Sequence, residues 1–143
     1  MKRNHQGAGL LLGLLSVLTL MLVGSSPASA STSTWTLEAE GQRICVSPQY
    51  GWPNTYAFAP VTGSWSSVIH LEVRNLPPGS SSTGGAIYPG TNHHLPDGSL
   101  VINGFVGLSF APAPAGEYTA EIRATDGRHT ESDPLLLVFR DGC

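Results

Sequence analysis

The chain has 143 residues, only 12% of them charged, and a formal net charge of −3. With seven basic residues against ten acidic ones, it lacks the basic patch that nucleic-acid backbones and anionic lipids attract. Neither class of partner is therefore expected, and the length suits one domain with a single hydrophobic core.

The first thirty residues have the pattern of a secretory signal peptide. Lys2 and Arg3 give a positive start, an apolar run covers residues 8–23, and small residues at 28–30 form a cleavage site after Pro27. The apolar run is short for a membrane-spanning helix, so we expect a cleaved signal and not an anchor. The sequence thus predicts a secreted, extracellular domain over residues 31–143, in which five arginines and ten carboxylates leave a net charge of −5.

The two cysteines of the chain, Cys45 and Cys143, fall within this exported part. Two cysteines in an exported chain favour a structural disulfide. The alternative is a pair of reactive or metal-binding thiols, but neither has a C-x-x-C partner or a neighbouring histidine. A bridge closing nearly the whole domain would stabilise it by about 4–5 kcal/mol in the chain-entropy model.

Short strands and no helix are predicted after residue 30, from period-2 alternation and clusters of Gly, Pro, Ser and Asn. The first half has expected strands at 35–39, 43–47, 55–60 and 65–75. A loop is expected at 48–54, where prolines leave few ladder bonds. Gly63-Ser64 is expected to form a break before the strand at 65–75. Ile69, Leu71 and Val73 of that strand share one face. Trp35 and Trp65 are expected in the core.

The second half begins with a loop-rich stretch at 76–98. Residues 99–110 are expected to form one long strand with a bulge at Gly104 or Gly107, the alternative being a hairpin at Asn103-Gly104. A strand at 117–125 leads into a hairpin turn at Asp126-Gly127. After an interruption at Asp133-Pro134, the last strand covers 135–140. Seven or eight short strands with frequent turns indicate an all-β sandwich.

The segment GEYTAEIRATDG, residues 116–127, resembles the penultimate strand and hairpin of immunoglobulin-like domains. Tyr118 stands where those domains have their tyrosine corner, whereas Ala120 replaces the cysteine of the antibody-type pattern. The exported segment also resembles small secreted actinobacterial domains of uncharacterised function, in TWTLEAEGQRICV, WPNTY, LPPGSSS, NGF and the terminal Cys143. These resemblances imply an immunoglobulin-like β-sandwich and no catalytic or binding residue.

Metal-binding candidates are few. His93 and His94, with Asp97 three residues on, form the most ligand-like cluster. A closed zinc or copper site needs three or four ligands at fixed spacing, and no second histidine pair completes this one. We therefore expect solvated loop histidines, no metal and no cofactor.

Catalytic motifs are not found either. There is no G-x-S-x-G elbow, and the serines at 80–82 lie in a flexible loop unsuited to hold a nucleophile near a base. The pairs Glu38/Glu40 and Glu117/Glu121 follow the spacing of strands, which indicates outward polar faces. The sequence thus predicts a domain that is not an enzyme.

Aromatic residues in loops give the functional prediction. Tyr50, Trp52 and Tyr88 are predicted as ligand-binding anchors at one end of the sandwich, the alternative being that Trp52 or Tyr56 closes the core. This predicts a monomeric, non-catalytic binding module for an extracellular protein or polysaccharide. Two other classes stay open: a secreted inhibitor of proteases or other enzymes that presents residues 77–79, and a small hydrolase without a recognisable motif.

Overall fold

The computed structural model describes residues 34–143, so the predicted signal peptide at 1–30 lies outside the described residues. Within the described part there is no helix, and hence none that is long and apolar enough to cross a membrane. The prediction of an all-β chain is confirmed for this part.

Within residues 34–143, eleven strands form three sheets. The strands are β1 (Trp35–Leu37), β2 (Arg43–Val46), β3 (Trp52–Phe58), β4 (Val61–Trp65), β5 (Ile69–Arg74), β6 (Ser81–Ser82), β7 (Gly85–Ile87), β8 (Gly90–Asn92), β9 (Phe105–Phe110), β10 (Gly116–Thr125) and β11 (Thr130–Phe139). The sheet orders are β2-β11-β10-β5-β7, β1-β4-β8 and β3-β9-β6. All pairs are antiparallel except β2 with β11.

The strand β10 lies in the middle of the five-stranded sheet, and its alternating sequence explains why. Ala120, Ile122 and Ala124 are buried, whereas the residues between them are more exposed. β10 pairs with β11 along its full length through the turn at Asp126-Gly127, and its second half pairs with β5. The predictions of this strand, its inward face and its hairpin are confirmed.

One hydrophobic cluster collects the inward faces of all three sheets. Trp35 and Trp65 are buried in it, as predicted. The rings of Phe110 on β9 and Phe139 on β11 meet edge to face at 6.3 Å, which joins the three-stranded sheet β3-β9-β6 to the five-stranded sheet.

The outer edge of β1 is covered by carboxylates from β11 and not by another strand. Leu37 N donates to Glu131 Oε2 at 2.6 Å, and Ala39 N donates to Asp133 Oδ2 at 2.7 Å. Glu38 N, between them, donates to the backbone just before β4. The carboxylates thus satisfy edge N–H groups that would otherwise be open to a foreign strand.

The predicted disulfide joins Cys45 and Cys143, whose Cα atoms are 5.4 Å apart. Cys45 lies on β2 opposite Val138 of β11. The bridge therefore fastens the chain beyond β11 to the neighbouring strand, across a sequence separation of 98 residues.

The predicted loop at 48–54 is partly wrong, because β3 begins at Trp52 and runs through Pro53. Pro53 is tolerated since β3 is an edge strand, and a bulge separates Trp52 from Thr55. The loop-rich stretch at 76–98 likewise contains the three short strands β6, β7 and β8.

The predicted break at Gly63-Ser64 is wrong, since both residues lie inside β4. Gly63 is needed there because β1 passes close by: a Cβ atom at this position would lie 2.1 Å from Thr34 O. The strand predicted at 65–75 is instead divided, with β4 ending at Trp65 and β5 beginning at Ile69.

The single strand predicted at 99–110 is too long, because β9 covers only Phe105–Phe110. Asn103 takes a different role: its Oδ1 accepts from Val61 N at 2.9 Å and its Nδ2 donates to Val61 O at 3.0 Å. The side chain thus pairs with the backbone of β4 as a strand would. Asn103-Gly104 also does not form the alternative hairpin.

The predicted interruption at Asp133-Pro134 does not occur, because β11 runs unbroken through both residues. β2 pairs with β11 only from Leu136 onward. Pro134 therefore lies where β2 does not pair with the strand, so its missing N–H removes no bond to β2.

Candidate functional site

The outer face of the sheet β3-β9-β6 carries no charged side chain. It is formed by Asn54, Tyr56, Phe58, Ser81, Thr83, Phe105, Gly107 and Ser109. We call this surface the uncharged face. Its residues are aromatic, hydroxyl-bearing or amide-bearing, or lack a side chain.

The five-stranded sheet has a different outer face, with His70, Glu72 and Arg74 on β5 beside Glu121 and Arg123 on β10. Arg74 and Arg123 each donate to Glu72 Oε1 at 2.7 Å. The hydrogen bond from Arg74, with help from Arg123, holds the pKa of Glu72 below its ordinary 4.5. A charged outer face is the ordinary way to keep a sheet soluble, so the uncharged face is the one that calls for a functional explanation.

Three aromatic rings form a contiguous group on the uncharged face. Tyr56, Phe58 and Phe105 are 54%, 41% and 63% exposed. The ring of Tyr56 lies 5.2 Å from that of Phe58 and 6.2 Å from that of Phe105, at interplanar angles of 71° and 62°. Exposed aromatic groups of this kind are typical of recognition surfaces.

The sequence TYAFA explains the exposure of these rings. Ala57 and Ala59 are buried, so the period-2 alternation of β3 sends Tyr56 and Phe58 to the opposite face. Aromatic residues alternating with buried alanines invert the usual arrangement, in which the large apolar side chain is inside. The alternative that Trp52 or Tyr56 closes the core is therefore wrong, because both side chains are exposed.

A groove of about 310 Å³ lies on this face beside the rings. Tyr56 of β3 is opposite Gly107 of β9, and Thr83 N donates to Gly107 O at 3.0 Å from the other side. A Cβ atom at Gly107 would lie 2.7 Å from Thr83 Oγ1. Gly107 forms the floor of the groove between Tyr56 and Thr83, and its lack of a Cβ atom lets the Thr83 hydroxyl approach β9 closely.

The free edge of β3 is blocked near both of its ends. At one end, the side chain of Gln42 takes up the backbone N–H and C=O of Phe58. At the other, Pro53 has no N–H, and the bulge before Thr55 interrupts the register. This arrangement disfavours pairing with a foreign strand and leaves the face of the sheet as the accessible surface.

The predicted anchors Tyr50, Trp52 and Tyr88 are all exposed, at 80%, 45% and 75%. Trp52 is opposite Phe110, at the end of β9. Tyr88 follows β7, whose first residue approaches the backbone of Phe105 at the start of β9. Tyr88 O accepts from Trp65 Nε1 at 2.6 Å, so Tyr88 lies at the end of β4, whereas Trp52 lies at the start of β3. The role of the three residues in binding stays a prediction.

Both histidines of the pair are exposed. His94 Nε2 contacts Glu38 Oε2 at 2.7 Å, and its Nδ1 lies 3.3 Å from Gly98 O. Asp97 accepts from the N–H and the hydroxyl of Ser99, and these bonds lower its pKa. Among residues 34–143, no group of three or more His, Cys, Asp and Glu side chains is placed to hold a metal ion.

The segment at 77–79, which the inhibitor hypothesis requires as an extended loop, forms a closed turn. Ser80 N donates to Pro77 O at 3.0 Å, and Gly79 has a φ of 81°. Ser80 Oγ accepts from Ala111 N, which ties the turn to the segment after β9. Pro77 is buried, whereas Pro78 and Gly79 are exposed, and the inhibitor function stays a prediction.

The model of a family of unknown function, DUF5980, matches residues 36–141, which include all of the uncharged face. No curated protein matches the chain.

Proposed function

The chain belongs to the DUF5980 family, and we propose that it is a non-catalytic extracellular binding domain whose recognition surface is the uncharged face. The observation that supports this proposal most is the contrast between the two outer faces. The outer face of the five-stranded sheet carries the charged side chains of β5 and β10, whereas the outer face of the sheet β3-β9-β6 carries three exposed aromatic rings and no charge. Exposed aromatic residues at the centre of an uncharged patch supply binding energy when a partner covers them.

We place recognition on the uncharged face and not at Tyr50, Trp52 and Tyr88. Tyr56, Phe58 and Phe105 are held by the ladder between β3 and β9, where Phe58 is directly opposite Phe105. Side chains on a paired strand lose less conformational freedom on binding than side chains on a loop, so each contact contributes more affinity.

An extracellular location is supported by two features. The Cys45–Cys143 disulfide is of a kind that persists in oxidising compartments. The sequence of residues 1–30 has the pattern of an export signal.

An immunoglobulin-like sandwich is the fold that we propose. Tyr118 near the start of β10 donates its hydroxyl to Pro114 O at 3.0 Å, four residues upstream. This is the bond that defines the tyrosine corner of such domains. The ring of Tyr118 also meets that of Phe139 at 5.2 Å.

The test compares two sets of aromatic substitutions. The face variant carries Tyr56→Ser, Phe58→Ser and Phe105→Ser; the loop variant carries Tyr50→Ser and Tyr88→Ser. Immobilised wild-type and variant domains are exposed to the secreted proteins and surface polysaccharides of the producing cells, after circular dichroism has shown that each is folded.

We expect wild type and the loop variant to retain the same molecule and the face variant to lose it. Loss in the loop variant alone would move recognition to the loops and overturn the assignment of the face. If wild type retains nothing, the binding function itself is wrong.

A further inference from the structure

We infer that the uncharged face binds a neutral glycan chain, with one sugar residue in the groove over Gly107. The inference rests on the proposed binding function and names its ligand class. It follows from the shape of the groove, from the chemistry of its walls and from the blocked edge of β3.

The groove follows the course of β9. The outward residues of this strand are, in chain order, the large Phe105 and the small Gly107 and Ser109. Ser109 lies opposite Ser81 of β6. Of these outward residues, Gly107 and Ser109 line the groove, and their small size leaves room for a ligand. A volume of about 310 Å³ is at the lower end of the range for small-ligand sites.

The walls match the two kinds of surface that a pyranose ring presents. Tyr56 supplies an aromatic wall for the C–H face of a sugar. Thr83 and Ser109 supply hydroxyls and Asn54 supplies an amide, which both donate and accept hydrogen bonds and so suit sugar hydroxyls.

The charge of the site selects for a neutral ligand. No acidic or basic residue lines the groove, so the carboxylate or sulfate of a charged glycan would lose water without gaining an ionic partner. An arginine or lysine side chain of a peptide would have the same disadvantage.

The edge of β3 favours a glycan over an extended peptide. A peptide that adds a strand to a sheet gains its affinity from main-chain hydrogen bonds at a free edge. The side chain of Gln42 already bonds the backbone N–H and C=O of Phe58, and Pro53 has no N–H. A glycan lying on the face needs none of them.

The angles between the rings favour a single chain over a crystalline surface. Tyr56 is inclined by 71° to Phe58 and by 62° to Phe105, so the three rings do not form one flat platform. They form a step beside the groove, against which one flexible chain can lie.

The test is isothermal titration calorimetry of the domain with neutral hexasaccharides of the cellulose, xylan, starch, chitin and β-1,3-glucan series. Oligogalacturonate serves as the charged comparison. Tyr56→Ala removes the aromatic wall, and Gly107→Ala fills the floor. Leu95→Ala is the control, since Leu95 is an exposed apolar residue that does not line the groove.

We expect wild type and Leu95→Ala to bind at least one neutral hexasaccharide equally well. Tyr56→Ala should bind it at least about tenfold more weakly, and Gly107→Ala should also weaken it. If Gly107→Ala is unstable, Thr83→Val, which removes one groove hydroxyl, replaces it and should weaken binding as well.

Two results would overturn the inference. One is the failure of wild type to bind any neutral hexasaccharide, and the other is binding that survives Tyr56→Ala unchanged. If the face variant nevertheless loses a retained protein in the experiment above, the binding function stands and its partner is a protein. If that experiment also shows no dependence on the face, both proposals are wrong.

Discussion

The side chain of Gln42 pairs with the backbone of Phe58 as a neighbouring strand would. Gln42 Nε2 donates to Phe58 O at 2.7 Å, and Phe58 N donates to Gln42 Oε1 at 2.8 Å. The same Nε2 also donates to Ala39 O at 2.9 Å. The amide side chain of Gln42 therefore occupies the hydrogen-bonding groups at the free edge of β3 and links them to the segment after β1. The residue that it bonds, Phe58, carries one of the exposed rings of the uncharged face.

Replacing Gln42 by alanine should lower the free energy of unfolding by about 1–2 kcal/mol, because three hydrogen bonds are lost at a partly exposed site. Gln42→Glu should be no more stable than Gln42→Ala, since a carboxylate accepts from Phe58 N but cannot donate to Phe58 O. Urea denaturation at pH 7 measures both, with Gln49→Ala, an exposed glutamine, as control. Full stability in Gln42→Glu would show that the two-way pairing is not formed.

Asp126 links the β10–β11 hairpin to β1 through both carboxylate oxygens. Its Oδ1 accepts from His129 N at 2.7 Å and from Arg128 N at 2.9 Å, and its Oδ2 accepts from Trp35 Nε1 at 3.0 Å. The bond from His129 N, followed by the one from Trp35, lowers the pKa of Asp126 from 3.8 to about 2. The folded state therefore prefers the charged form of Asp126.

This preference predicts a specific dependence of stability on pH. Because the folded pKa lies below the unfolded one, the contribution of Asp126 is fully present above pH 3.8 and is lost as the pH falls through about 2. We estimate it at about 1–2 kcal/mol after allowance for solvent screening.

Asp126→Asn tests this dependence by urea denaturation between pH 2 and pH 7. The variant should be less stable than wild type at pH 7, and the difference should shrink toward pH 2. Asp141→Asn, at an exposed aspartate, is the control. A difference that stays constant with pH would contradict the assignment to this carboxylate.

The parts of the fold that the sequence predicted correctly are those with strong local patterns. The alternation from Glu117 to Thr125 and the turn at Asp126-Gly127 correspond to β10 and its hairpin. The disulfide between Cys45 and Cys143 could be predicted because two cysteines in an exported chain allow a single pairing. None of these depends on which sheets pack together.

The parts that were missed depend on tertiary neighbours. Asn103 is not in a turn because its side chain finds the backbone of Val61, 42 residues away. Pro134 is accepted in β11 because β2 pairs only farther along that strand. The exposure of Tyr56 and Phe58 could have been suspected from their alternation with alanines. The direction of each face is fixed only once the sheets are assembled.

Removal of the disulfide should cost more than any of the side-chain changes above. Reduced wild type and the double variant Cys45→Ser/Cys143→Ser should both lose about 4–5 kcal/mol of unfolding free energy, because the bridge closes a loop of nearly 100 residues. Denaturation with and without reductant measures this loss, and mass spectrometry before reduction confirms the bridge. An unchanged midpoint after complete reduction would contradict the prediction.

Tyr118→Phe isolates the hydroxyl that supports the proposed immunoglobulin-like fold. The substitution keeps the ring against Phe139 and removes only the bond to Pro114 O, so we expect a loss of about 1 kcal/mol in unfolding free energy. Hydrogen exchange should also become faster around residues 114–118, since the hydroxyl fixes the segment that enters β10. Tyr88→Phe, at an exposed tyrosine outside the core, should change neither quantity. Equal stability of the two variants would show that the hydroxyl of Tyr118 does not hold this corner.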